Sequence, residues 1–289
     1  MRLYSAKNMV ETAQKEGYAI PALNANGANY DISRAILEAA AELRSPMIIQ
    51  AYDPNLEYRG YDFFVQQVKF LAQDLDIPIC ISLDHGKSIE SVMKAARAGF
   101  THIMFDYAAH PIDENIEKTN LVAGLLHPLG ISVEAEIGDI FISNDASKQA
   151  PVTPISDIEE FVSRTSIDCL AAGVGTTHGI FQSQTGIDFC HIKEIKKTIE
   201  LPIVLHGTSG VSHEDISHCV KCGMSKVNFG EILRINYIRY FNEMSVSIDH
   251  EHHTWKIMRA VKDKLKEDIK DIIRAVGSDG RVPKHQESY

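Results

Sequence analysis

Eight short apolar runs, separated by segments of helical periodicity, constrain this chain more than any other feature. They occupy residues 19–23, 47–51, 79–83, 102–105, 132–135, 169–172, 203–205 and 226–228. Between them, residues 32–43, 63–75, 89–98, 112–126, 155–165 and 192–198 carry the apolar spacing of amphipathic helices. Strands that are apolar throughout, rather than alternating in polarity, belong to a sheet covered on both faces, and helical crossovers make that sheet parallel. Eight such units favour closure over an open doubly wound sheet, and no Gly-x-Gly-x-x-Gly follows the first strand. A (β/α)8 TIM barrel takes about 250 residues. The α/β chain is therefore expected to form one domain over residues 1–289. Two stretches fall outside the alternation. Residues 139–153 are polar and irregular, as expected of a lid, and residues 255–276 read as an amphipathic helix ending at Gly277. That helix is expected to cap the barrel or to pair with another subunit.

Composition removes several function classes. A formal charge of -10 argues against non-specific nucleic-acid binding, which needs a basic surface. No apolar run is long enough to span a membrane, and Met1-Arg2-Leu3-Tyr4-Ser5 does not open a signal peptide. Five scattered cysteines suit reduced thiols better than a disulfide framework, so the expectation is a cytoplasmic protein. Cys219 and Cys222 have Cys-x-x-Cys spacing but lie in a helical pattern, where packing is the better reading.

Three strand ends share one punctuation. Leu83-Asp84-His85-Gly86, Thr176-Thr177-His178-Gly179 and Leu205-His206-Gly207 each set a histidine against a glycine, at the ends of the third, sixth and seventh strands. The carboxyl ends of barrel strands form the rim where chemistry is done. Three neutral imidazoles converging there bind Zn²⁺ and leave a position open for substrate. Any one of the 13 histidines alone would more often be structural. Asp84 points away from His85 if the strand runs straight through both, although either side chain can turn over the rim. It is a candidate base or a helix cap. Glu134 and Glu136 share one face of the fifth strand, and Asp106 ends the fourth. Those acids orient metal-bound histidines, ligate the metal in one state, or pair with barrel lysines. The glycine-rich loops at residues 174–179 and 206–210 offer backbone N–H groups of the kind that cradle phosphate. His250, His252 and His253 read as a solvated turn.

At these residues the chain resembles the class II, zinc-dependent ketose-bisphosphate aldolases, most closely the tagatose- and fructose-bisphosphate group. The likeness runs from Tyr18-Ala19-Ile20-Pro21-Ala22-Leu23-Asn24 to Gly277-Ser278-Asp279-Gly280-Arg281. Its marks are Leu83-Asp84-His85-Gly86, Met104-Phe105-Asp106, Val133-Glu134-Ala135-Glu136-Ile137-Gly138, Gly175-Thr176-Thr177-His178-Gly179 and Val204-Leu205-His206-Gly207-Thr208-Ser209-Gly210. The resemblance implies zinc on His85, His178 and His206, with Glu136 as an alternate ligand and Asp106 and Glu134 behind. It implies a sugar-phosphate substrate, with Asp84 taking the α-proton of dihydroxyacetone phosphate and Asn228 steadying the resulting enediolate. Gly179, Gly207, Ser209 and Asn24 would hold the substrate and its phosphate, with a Na⁺ or K⁺ ion nearby. Arg281 would reach the aldehyde's phosphate, across a subunit boundary in a homodimer or homotetramer. Co²⁺ or Mn²⁺ would also suit such ligands.

Departures from the family pattern collect on the aldehyde side and in part of the phosphate site. Glu231 follows Asn228-Phe229-Gly230, where the family carries a phosphate-touching Thr nearby. Asn144 stands at the lid's usual Glu, with Asp145 beside it. Tyr107-Ala108 replaces a Gly/Ala-Ser pair after Asp106, and Tyr52 replaces a small Ser or Thr. The expectation is a zinc aldolase whose substrate is not the usual bisphosphate. Retro-aldol cleavage of another sugar or sugar acid, and a retired sugar-phosphate-binding barrel, are the alternatives.

Overall fold

A computed structural model describes residues 3–138, 152–177, 179, 186–249 and 251–283. The elements run α1 (Ala6–Glu16), β1 (Ile20–Asn24), α2 (Tyr30–Glu42), β2 (Met47–Tyr52), α3 (Asp53–Arg59), α4 (Tyr61–Leu71), β3 (Ile79–Gly86), α5 (Ile89–Ala98), β4 (His102–Phe105) and α6 (Ile112–Leu126). They continue with β5 (Ser132–Ile137), α7 (Ile155–Arg164), β6 (Cys169–Ala172), α8 (Phe189–Thr198), β7 (Ile203–Leu205), α9 (His213–Cys222), β8 (Met224–Phe229), α10 (Glu231–Ser247) and α11 (Thr254–Ala275). The strands pair in sequence order, all parallel, and β8 returns to β1, so the sheet is closed as expected.

Two periodicities build this wall. Outward residues such as Leu23, Ile49, Ile81, Ile103, Val133, Leu170 and Val227 form a shared core with the helices. Inward residues Ile20, Ala22, Ile48, Cys80, Cys169, Ala171 and Val204 pack against Ala6, Met9, Val10 and Ala13 of α1. That helix, which the pattern of strands did not anticipate, therefore closes the amino-terminal end of the barrel. Its apolar stripe is built for this, and Ser5 caps its start while Gly17, at φ 73°, ends it in the left-handed region.

The C-terminal helix does not cap the barrel end. α11 lies along α2 on the outer wall, and its buried face is Ile257, Val261, Leu265, Ile269, Ile272 and Ile273. Trp255 and Met258, counted in the apolar stripe from spacing, stay exposed. Most of the expected lid, residues 139–151, lies outside the described residues; its return is held where Thr153 Oγ1 donates to the Ile137 carbonyl at 3.1 Å and accepts Gly173 N–H at 2.8 Å. No helix among the described residues is long and apolar enough to cross a membrane. Cys219 and Cys222 sit in α9, buried and unbridged, as the packing reading requires.

Candidate active site

The carboxyl end of β3 departs from regular alternation, and that departure makes the site. His85 adopts φ 51°, and the register against β4 shifts between Leu83 and Gly86. A non-glycine residue in the left-handed region is uncommon and marks a place where the surroundings impose the backbone. The bulge lets neighbouring side chains, Asp84 and His85, both face the barrel mouth. Gly86 gives room next to it: a Cβ there would lie 2.7 Å from Leu83 Cδ2, which would have to turn aside, and 3.2 Å from the Met104 carbonyl oxygen.

Each imidazole of the described site is fixed by a carboxylate behind it. His85 Nδ1–H donates to Asp106 Oδ2 at 2.8 Å, and His206 Nε2–H donates to Glu134 Oε1 at 2.9 Å. A carboxylate only accepts, so these bonds place one proton on His85 Nδ1 and one on His206 Nε2; the other nitrogen of each ring offers a lone pair to a metal when the ring is neutral. The two rings meet edge to face with centroids 5.1 Å apart. Asp84, His85 and His206 each bring a ligand atom within 4.8 Å of the others'. Donors of this type, with their tautomers set from behind, fit a divalent metal ion. His178 lies outside the described residues. Glu136 is buried on the inner face of β5, close enough that its charge acts on His85.

Asp84 is held from two sides: Asn24 Nδ2 donates to Oδ2 at 3.2 Å and Asn228 Nδ2 to Oδ1 at 3.3 Å. This settles the open reading of its geometry, since its oxygens are engaged by amides of β1 and β8. The helix-cap role falls to Ser88, whose hydroxyl accepts Ser91 N–H at the start of α5.

Glu134 answers the other open question with both alternatives at once. It orients His206, and it also accepts Lys226 Nζ–H on Oε2 at 2.7 Å, with neither side chain more than 1% exposed. Burial raises a carboxyl pKa, but the Lys226 ammonium and the imidazoles of His102 and His206 hold Glu134 well below its usual range. Burial in turn lowers His206, outweighing the Glu134 contact. For His85 the balance is reversed. Burial opposes the charge, yet the Asp106 bond and the nearby Asp84 and Glu136 carboxylates push its pKa up to about 9. Asp106 falls to about 2, its burial overcome by His85 and Lys87.

The other expected residues divide. Gly207, at φ 67°, lets the β7 loop touch the β6 loop, since a Cβ there would lie 2.8 Å from the Thr177 carbonyl oxygen. Ser209 is buried beside it, and Thr208 Oγ1 donates to the Asn228 carbonyl at 2.6 Å. Gly179 belongs to the same β6 segment. Tyr52 pairs with Asp84 across β2 and β3 and sets its ring edge-to-face on His85 at 6.4 Å. Tyr107 stacks between Phe105 and His110, and Ala108 N–H donates to Asp106 Oδ1 at 3.4 Å. Glu231 opens α10 directly after β8. Asn144 and Asp145 lie outside the described residues, as does His250, while His252 and His253 sit in an exposed turn before α11.

Within one subunit Arg281 lies away from Asp84. Its guanidinium stacks over Tyr18 at 4.6 Å and lies 3.7 Å from Glu16, beside the entrance to β1. Asp84 is reached from the opposite end of that strand, through Asn24. Sequence reasoning passed over Lys226 and His102, two polar side chains inside apolar runs. The signal was there, because a lysine two residues before Asn228 shares its inward face.

Comparison with known proteins gives this constellation its context. A profile described as "Fructose-bisphosphate aldolase class-II" matches residues 4–281. The chain belongs to the class II fructose-bisphosphate aldolase family. Its relatives in this family are named for different substrates. It is 34% identical over 287 residues to a probable fructose-bisphosphate aldolase of Bacillus subtilis, covering 98% of this chain and 100% of that one. It is 33% identical over 286 residues to a sulfofructosephosphate aldolase of Alkalicoccus urumqiensis, covering 98% and 99%. Among solved structures, the YdjI aldolase of Escherichia coli K12 superposes with a TM-score of 0.86 at 29% identity, covering 98% of this chain and all 100% of that one. As a class II aldolase the chain is a lyase of a generally metal-dependent family, and Asp84, His85 and His206 form a group able to hold an ion.

Proposed function

We propose that this aldolase is zinc-dependent and makes or breaks the carbon–carbon bond of a ketose phosphate, with dihydroxyacetone phosphate as the donor half. One observation carries the reading: a carboxylate gripped by two amides stands beside two imidazoles, each oriented by its own buried acid. His85 and His206, with His178 as the third, would hold the ion, and Glu136 would serve as an alternate ligand. Bound Zn²⁺ supplies Lewis acidity at the donor's carbonyl oxygen. The protein's own groups then divide the work. Asp84 accepts the α-proton of the ketone, and the amides of Asn24 and Asn228 aim the carboxylate that receives it. Asn228 Nδ2 donates to the donor's oxygen once substrate displaces its bond to Asp84. Gly179, Gly207 and Ser209 hold the donor's phosphate with backbone and hydroxyl donors, with Na⁺ or K⁺ beside them.

The acceptor half differs from the usual bisphosphate. Tyr52 stands edge-to-face beside His85, and the relatives above are named for different ketose substrates. The protein acts as a cytoplasmic homodimer or homotetramer in this reading. The test is metal-dependent exchange of the α-proton of dihydroxyacetone phosphate in D₂O, with unphosphorylated dihydroxyacetone alongside. Exchange of the phosphate ester alone is expected. Its absence from zinc-loaded protein would sink the donor assignment and turn the search to sugar acids or to ligand binding without turnover.

A further inference from the structure

Lys226 is an ammonium with 1% exposure inside the barrel, and its two bonds reach opposite halves of the site. Nζ donates to Glu134 Oε2 at 2.7 Å and to Asn228 Oδ1 at 2.8 Å. Through Glu134 it backs the His206 imidazole, and through Asn228 it backs Asp84.

The second link is a constraint on orientation. An amide side chain has one accepting end and one donating end, and an ammonium can only donate. With Lys226 beneath it, Asn228 must turn Oδ1 downward and present Nδ2 to the rim. Asn228 Nδ2 also lies 3.2 Å from His206 Nε2, and since both carry hydrogen this is a contact rather than a bond. Asp84 Oδ1, which can only accept, asks for the same orientation from above, and the ammonium holds the accepting end of the amide from below at the shorter distance, 2.8 against 3.3 Å. Below it, His102 Nε2 reaches Glu134 Oε2 at 3.2 Å, and His102 Nδ1 lies 2.9 Å from Ser132 Oγ, which accepts Ala6 N–H of the plug helix at 3.1 Å. The layer thus rests on α1. His102, Glu134 and Cys169 cluster closely enough to suggest a second metal site. The ammonium already stands against the same Glu134 oxygen, so it supplies the cation there.

We propose that Lys226 is a positioning residue that sets the Asn228 amide, and through it Asp84, while balancing the buried charge of Glu134. The idea rests on the aldolase reading, and its test separates the two. Lys226→Met alone strands the Glu134 charge and is expected to lower thermal stability. Lys226→Met combined with Glu134→Gln removes both charges, keeps an acceptor for His206, and is expected to recover most of that stability and the metal content. Donor α-proton exchange should nevertheless remain about 10-fold or more below that of Glu134→Gln alone, which shares the altered support of His206 but keeps Lys226 under Asn228.

A readout independent of metal and turnover is hydrogen exchange of the Asn228 side-chain amide in chelator-treated protein. Protection in the wild type should be lost in the double variant. A double variant that exchanges substrate protons as fast as Glu134→Gln alone, or with the Asn228 amide still protected, overturns the proposal. If wild-type protein exchanges no substrate proton, the aldolase reading falls, and amide protection alone then decides the role of Lys226.

Discussion

Asp106→Asn removes the carboxylate that accepts His85 Nδ1–H at 2.8 Å and changes the side chain's shape very little. In metal-free protein, burial works against a charged His85, but Asp106, Asp84 and Glu136 lift its pKa from 6.5 to about 9. At about 1.4 kcal/mol per pKa unit, that gap amounts to about 3 kcal/mol favouring the folded, charged form. Because the folded pKa lies above the unfolded one, this stabilisation is fully present below a pH of about 6.5 and is lost as the pH climbs through about 9. Urea denaturation of chelator-treated protein should show stability falling across that window. Asp106→Asn should flatten the fall, though not abolish it, since Asp84 and Glu136 remain. It should also weaken metal binding by about 10–100-fold, because the ring is no longer held with its lone pair toward the site. An unchanged pH slope in the variant would refute the claim that Asp106 sets the state of His85. Equal metal affinity would refute its role in orientation.

Three further changes probe the rest of the site. Asp84→Ala should slow donor α-proton exchange by about 10²–10⁴-fold, the range for losing a positioned base, while metal analysis finds the ion retained. Gly207→Ala should cost about 1–3 kcal/mol in thermal unfolding, since φ is strained for alanine, and its Cβ would press on the Thr177 carbonyl at 2.8 Å. A variant as stable as wild type would show that the two loops can part without penalty. Tyr52→Ser should leave metal content and donor exchange intact but change KM among aldehydes of different size. A uniform response to every aldehyde would remove Tyr52 from the acceptor pocket.

Much of this was legible in the residues because barrel strands and outer helices carry strong, different periods. The eight strands fall where the apolar runs lie, with β8 extended to Met224–Phe229 and β3 to Gly86. The less legible parts have physical causes. Strict alternation sends Asp84 and His85 to opposite faces, and only the φ of 51° at His85, which no spacing rule encodes, unites them. The plug helix α1 precedes the first strand and belongs to no repeating unit. Trp255 matched the helical period of α11 but stands two residues, about 200° around the helix, from Ile257 on the buried face. Arg281 follows a family motif in sequence, and α11 carries it to the amino-terminal end, where Ala19 N–H donates to the Val276 carbonyl, so it lies away from Asp84 of its own subunit. Sequence order places a residue along the chain but does not tell which end of a barrel a returning helix reaches.

The barrel interior changes character from bottom to top, and that gradient explains why buried charge is tolerated here. Ile20, Ile48, Cys80 and Val204 close the base with α1. The next layer holds Glu134, Lys226 and His102, and the rim carries Asp84, His85 and His206. A buried ion pair contributes little net stability, because desolvating both charges costs about what their attraction returns. Its value here is directional: the two imidazoles face each other with their protons already turned outward to acids. The supports are nevertheless unequal. Glu134 is 0% exposed, whereas Asp106 is 12% exposed and lies 3.7 Å from the solvent-facing Lys87. His206 therefore sits in a setting that solvent cannot adjust, while the state of His85 follows the pH and the charge of whatever enters the mouth. In this arrangement one imidazole anchors the site and the other couples it to solvent and substrate.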